Sequence, residues 1–140
     1  MCRYTHENII GMCVMEWICR WLAQREPWYV ENSKIPVWLS KVAPIDIWAI
    51  SLGCFVFCKG TLSKTTRRHE KIHYVQQWEL LFLGHWLLYG LFWFVGLVRY
   101  RNGVQAYKEN PFEREAYANE KKYTYFNKRP LWNWIHYVRG

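Results

Sequence analysis

Arg68-His69-Glu70-Lys71-Ile72-His73 contains the pattern His-Glu-x-x-His. On a helix, residues four apart share one face about one turn apart, so both imidazoles can reach a single tetrahedral ion. Glu70, offset from the two, can hold a water on that ion. The metal lowers the water's pKa from about 16 to near 7, and a carboxylate takes its proton during attack on a polarised carbonyl. His69 and His73 are therefore the expected metal ligands, Glu70 the expected general base and Zn2+ the expected ion. A third protein ligand is needed. Asn110-Pro111-Phe112-Glu113-Arg114-Glu115-Ala116-Tyr117 supplies two carboxylates at the start of a second helix. Glu113 and Glu115 stand about 200° apart on the helical wheel, so only one can face the ion. The other either orients a histidine or sits in solvent.

Several elements must position these groups. Residues 61–66 offer helix caps, and from Arg67 nothing breaks a helix until Gly84. Residues 45–58 are rich in β-branched and aromatic types around Gly53, which reads as two short strands, with a buried helix as the competing reading. Turn formers at Pro27, Asn32, Ser33, Pro36 and Pro44 predict a loop before them. Ile10, Val14, Trp17, Ile18, Trp21 and Leu22 recur at helical spacing and predict an amphipathic N-terminal helix. Interrupted by Glu16 and followed by Arg20, residues 9–19 do not read as a signal peptide. Asn110 caps and Pro111 opens a helix over residues 112–125, and the tail from Asn127 is basic and aromatic. The expected fold is a single, mostly helical α+β domain over residues 1–140, with a strand segment, the motif helix and the glutamate helix in that order.

This combination resembles the gluzincins, metallopeptidases in which a His-Glu-x-x-His helix is followed by a second helix bearing a glutamate ligand. The resemblance covers roughly residues 69–117. His69-Glu70-x-x-His73 with Gln76-Gln77 is similar to the active-site helix of small, membrane-linked members. Glu113-x-Glu115-Ala116 is similar to their Glu-x-x-Ala-Asp segment, which implies Glu113 as the ligand. In that pattern an Asp four residues on supports a metal-bound histidine, and here Tyr117 stands in its place. A thermolysin-like alignment implies Glu115 instead, with Asn119 in the supporting place. A metzincin would need Gly at position 76 and His at position 79, where Gln76 and Glu79 stand. A ferritin-like di-iron site needs two Glu-x-x-His motifs, and only Glu70 to His73 matches. His6, His85 and His136 read as packing or surface residues, and Gln76, Gln77 and Glu79 as solvated or supporting groups.

The aromatic fraction of 19%, the hydrophobic content of 51% and the net charge of +8 together predict contact with a membrane surface. Nucleic acid is not expected, because the charge is spread along the chain without a finger or Gly-aromatic pattern. Five cysteines without a Cys-x-x-Cys pair predict a reducing compartment, hence the cytoplasmic face of the membrane. Residues 80–98 contain no Asp, Glu, Lys or Arg and have the length of a membrane-crossing helix. A single crossing would put the histidines and the glutamates on opposite sides. The site therefore requires a bend, expected at Gly84 or Gly90, or a helix packed on protein, and implies a monotopic or peripheral chain. The leading expectation is a zinc-dependent hydrolase of peptides or proteins. The alternative is a non-catalytic membrane-surface or partner-binding protein with a structural or vestigial metal site.

Overall fold

The computed structural model describes residues 14–43 and 45–139. His6, Ile10, Pro44, Cys2 and Cys13 lie outside them. Helix α1 (Val14–Gln24) follows the expected amphipathic spacing, with Leu22 buried beside Tyr74 and Val75. Two elements then occupy what reads as loop. Strand β1 (Trp28–Val30) escapes a sequence reading because it is three residues long and borders turn formers. Helix α2 (Ile35–Val42) accommodates Pro36 in its first turn, where a missing N–H costs nothing.

Strands β2 (Ala49–Leu52) and β3 (Phe55–Cys58) form a hairpin within residues 45–58. Leu52 pairs with Phe55, leaving the two-residue turn Gly53-Cys54, in which Gly53 has φ 61°. The sheet order is β1-β3-β2, with β1 parallel and β2 antiparallel to β3. Val56, Cys58 and Leu62 are buried beneath it, whereas Cys54 sits exposed at the turn.

Helix α3 (Lys64–Glu79) carries the motif. Ser63 caps it by accepting a hydrogen bond from the Thr66 N–H at 3.1 Å. It ends before Gly84. Leu81 and Phe82 have φ 52° and 60°, and the Gln77 carbonyl accepts from the Phe82 N–H at 2.7 Å. The chain leaves α3 at 113° into helix α4 (Leu83–Tyr100). The bend thus falls at residues 81–82, not at a glycine, and the apolar stretch 80–98 is not one straight rod. Among the described residues no single helix is long and apolar enough to cross a membrane; α3 and α4 pass such a test only together, as a bent pair.

Helix α5 (Gly103–Lys108) turns back along α4. Asn102 caps it by accepting from the Val104 and Gln105 N–H groups. Gly96 permits the close return, since a Cβ there would stand 3.1 Å from Cα and Cβ of Ala106. Helix α6 (Pro111–Asn119) begins at the expected Asn110 cap and Pro111 but ends six residues earlier than expected, before a short α7 (Tyr125–Lys128) and a 3-10 turn (Asn133–Tyr137). The mostly helical α+β fold expected from the sequence is the one observed.

Candidate metal centre

Asn110 Nδ2 donates to the Tyr89 carbonyl at 3.1 Å, which fixes the start of α6 against the middle of α4. The chain therefore retraces only the stretch from Tyr100 to Tyr89, about 17 Å of helix, to bring its glutamates back. Glu113 then faces α3. Its two carboxylate oxygens stand 3.2 Å from Nε2 of His69 and 3.2 Å from Nε2 of His73, and those two nitrogens lie 3.1 Å apart. All three side chains are buried, and together they form a group that can hold a metal ion.

The proton positions on both rings follow from their partners. Gln76 Nε2 donates to the Phe112 carbonyl at 3.1 Å and to Glu115 at 3.0 Å, so its amide oxygen must accept the 2.8 Å hydrogen bond from His73 Nδ1. His69 Nδ1 donates to the Glu120 carboxylate at 2.9 Å. With a proton on each Nδ1, both Nε2 atoms present lone pairs to one another and to a carboxylate. That arrangement repels itself unless a cation lies between. A tetrahedral ion with ligands at about 2.0–2.1 Å sets them roughly 3.3 Å apart, close to the separations seen here.

Charge on the groups tells the same story. Burial opposes a positive charge on His73, yet the adjoining Glu113 carboxylate raises its pKa to about 9 and shifts His69 upward too. Burial would raise Glu113, but the two histidines hold it well below the usual carboxylate range. Without a metal, this centre captures a proton in its place. Burial also pushes up Glu70, whose Oε2 has no hydrogen-bond partner, and Glu113 Oε2 likewise makes none. Buried polar atoms are rarely left unpaired, so orphaned oxygens from two residues around one spot fit a bound ion and water.

Glu115 is not brought to the histidines. α6 turns it the opposite way, where its Oε1 accepts from Arg129 Nε at 2.6 Å and from the Tyr125 hydroxyl at 2.5 Å. Through Gln76 it steadies His73, the orienting role expected of whichever glutamate faced away. Asn119 donates to the Glu115 carbonyl and the Tyr137 hydroxyl and touches neither histidine. Tyr117 packs edge-on against His69, ring centres 4.7 Å apart. The carboxylate behind His69 is thus Glu120, which sequence reasoning missed. Its signal was its position, seven residues after Glu113 and so on the same helix face.

Glu79 is not solvated: its side chain is covered by Arg129 and accepts from the Trp132 N–H at 3.0 Å. Gln77 is fully buried as well and clamps the β-hairpin, accepting from the Gly53 N–H and donating to the Ser51 carbonyl, both at 2.8 Å. A cavity of about 390 Å³ adjoins the centre, lined by residues 45–51 and by His85, Trp86 and Tyr89 among others. His85 is buried there with Nδ1 unpartnered, and burial lowers its pKa to about 3, so the ring is neutral. The Tyr89 hydroxyl donates to Glu113 at 2.8 Å. Comparison with protein-family models, curated proteins and solved structures finds no match to this chain. What stands of the gluzincin resemblance is the buried group of His69, His73 and Glu113.

Proposed function

We propose that this chain is a zinc-dependent hydrolase that cleaves peptide bonds, with His69, His73 and Glu113 as ligands and Glu70 as general base. The observation that carries this reading is the convergence of the His69 and His73 Nε2 atoms and the Glu113 carboxylate within 3.2 Å beside a cavity. Structural zinc sites are closed by four protein ligands, whereas catalytic ones have three and an open position. Among the described residues three ligands converge here, which favours catalysis over a structural role. A bound zinc would supply a Lewis acid for the substrate carbonyl and a water acidified to near neutrality.

The chain's own groups supply the rest. Glu70, its carboxyl pKa raised by burial, takes a proton from the attacking water at its free Oε2 and passes it to the departing amine. The water oxygen bonds to the carbonyl carbon, and the C–N bond breaks with its electron pair on nitrogen. Neutral His85 offers a polar ring atom at the cavity wall for the substrate. Strand β2 pairs with β3 on one side only, so the N–H and C=O of Ala49 point away from β3, toward an extended peptide laid alongside. Gln77 already occupies the Ser51 carbonyl and so ends that edge.

Metal content and hydrolysis of a mixed peptide library test the reading. The native protein and Glu70→Gln should both hold stoichiometric zinc, with hydrolysis lost by at least about a hundredfold in Glu70→Gln. His69→Ala should lose both. Native protein without stoichiometric metal, or Glu70→Gln with native turnover, would refute it.

A further inference from the structure

Helix α4 is inside out. Its only buried residues are His85 and Gly96, and Tyr89 also points inward to Glu113. Leu83, Leu87, Leu91, Phe94, Val95 and Val98 are instead between 53% and 70% exposed. At about 100° per residue these six fall within roughly one third of the helical circumference, so they form one continuous stripe. Leu81, at 82% exposure, extends it across the bend. The face bears no polar side chain. A helix in contact with water has the reverse arrangement.

We propose that this stripe of α4 rests in the interface of an anionic lipid bilayer. Charge complementarity selects that occupant. No Asp or Glu occurs from residue 80 to residue 108, and the exposed Arg99 and Arg101 close the end of the stripe. The net charge is +8. Among the described residues Glu70, Glu113 and Glu115 are buried and the Glu79 side chain is covered by Arg129, the single buried basic residue, so the outer surface is more cationic than the composition suggests. Such a surface repels a second copy of itself and attracts acidic head groups. Nor does the stripe hold a polar side chain to set the register of a paired helix.

Length and direction decide how it lies. Eighteen residues make a helix of about 27 Å, short of a hydrocarbon core of about 30 Å, and the 113° bend turns the polar α3 off its axis. The stripe therefore lies along the membrane instead of crossing it, with the arginines reaching the head groups. His85, Trp86 and Tyr89 wall the cavity from the same helix, so the metal centre stands directly behind the lipid-facing surface. The lipid contact is independent of the metal chemistry proposed above.

Flotation of the 140-residue chain tests this, with phosphatidylcholine vesicles alone and with about one third phosphatidylglycerol. Native protein should float with the anionic vesicles, with or without chelator. Leu87→Glu with Leu91→Glu should lower partitioning by at least about a hundredfold. Arg99→Ala with Arg101→Ala should lower it by about 25-fold on anionic vesicles only, and about 0.5 M salt should reproduce that loss. Phe94→Ala with Val98→Ala, which leaves an apolar helix, should give a smaller loss of about tenfold. Unchanged metal content and melting temperature verify the fold of each variant. Native protein that stays with the aqueous fraction overturns the proposal, as does native-like flotation of the double glutamate variant. A lipid-free dimer that the same variant converts to monomer, without vesicle binding by the native protein, assigns the stripe to a second copy and also overturns it.

Discussion

Helices α3 and α4 follow one another in the chain with opposite relations between composition and burial. α3, rich in Arg, His, Glu and Gln, buries His69, Glu70, His73, Gln76 and Gln77. α4, made largely of Leu, Phe, Val and Trp, leaves a whole stripe of apolar side chains outside, from Leu83 to Val98. Burying unpaired polar groups costs free energy, so those inside α3 persist because nearly all have a partner. Among the exceptions, Glu70 Oε2 and the facing Nε2 atoms stand where an ion and its water would complete them, and Trp78 Nε1 also lacks a partner. The polar interior belongs to the candidate metal centre, and the apolar exterior to whatever phase α4 meets.

The sharpest way to break this comparison is to remove a partner from the polar interior. Arg129 bridges Glu79 at the end of α3 and Glu115 on α6, with side chains almost fully buried. Arg129→Met leaves two carboxylates unpaired, and breaking a buried pair in this way costs about 3–5 kcal/mol. Urea denaturation should show a loss of that size, accompanied by weaker metal binding as Gln76 loses its anchor on Glu115.

A second effect, on the order of 3 kcal/mol, comes from protons. In the metal-free protein His73 is raised from 6.5 to about 9, so its contribution to stability is complete below 6.5 and lost as pH rises through 9. Glu113, lowered from 4.5, contributes above that value and loses its contribution as pH falls. Glu70, raised by burial, adds to the loss on the alkaline side. Thermal melts of chelated protein should therefore peak between about pH 4.5 and 6.5 and decline toward 9. A metal ion held by these residues would displace the shared proton, so the stabilisation it confers should grow across the same interval. A pH-independent gap between metal-free and metal-loaded melts would mean that His73 and Glu113 do not share a cation.

The hydrogen bond from His69 to Glu120 carries a smaller effect. A carboxylate behind a metal-bound histidine is typically worth ten- to a hundredfold in metal affinity. Glu120→Gln keeps the shape and an acceptor but removes the charge, so competition with a chromogenic chelator should show a loss near tenfold. Tyr117→Phe should leave affinity unchanged, since its contact with His69 is through the ring.

How much of this was legible in the sequence depends on how local its causes are. The His-Glu-x-x-His spacing, the Asn110-Pro111 helix start and the strands around Gly53 are short-range patterns, and each appears where the residues indicate. β1 and α2 were hidden because a three-residue parallel strand and a proline in a first turn have weak local signatures. The choice of Glu113 over Glu115 depends on Arg129, fourteen residues away from the latter and visible only once the tail folds back. Glu120 had a usable signal in its helical spacing from Glu113. The bend did not: Leu81 and Phe82 are poor candidates for positive φ, and the Gln77 carbonyl and packing of Phe82 against Trp78 hold them there.

The smallest expected effect is on α4, and it is the one that separates the two helices most cleanly. In a protein surrounded by water, an exposed Leu on a well-formed helix contributes little to folding, and surface substitutions usually lie within about 0.5 kcal/mol. Leu91→Gln should therefore leave urea denaturation in lipid-free buffer unchanged within that margin, and metal content unchanged as well. On α3, Gln76→Leu is the mirror substitution. It removes the acceptor of the His73 proton and the donor to Glu115 and Phe112 at a fully buried position, so it should cost about 1–3 kcal/mol although it adds apolar surface to the interior. If Leu91→Gln proved as destabilising as Gln76→Leu, the stripe would be part of a protein core formed by self-association, and α4 would follow the same rule as any helix packed on protein.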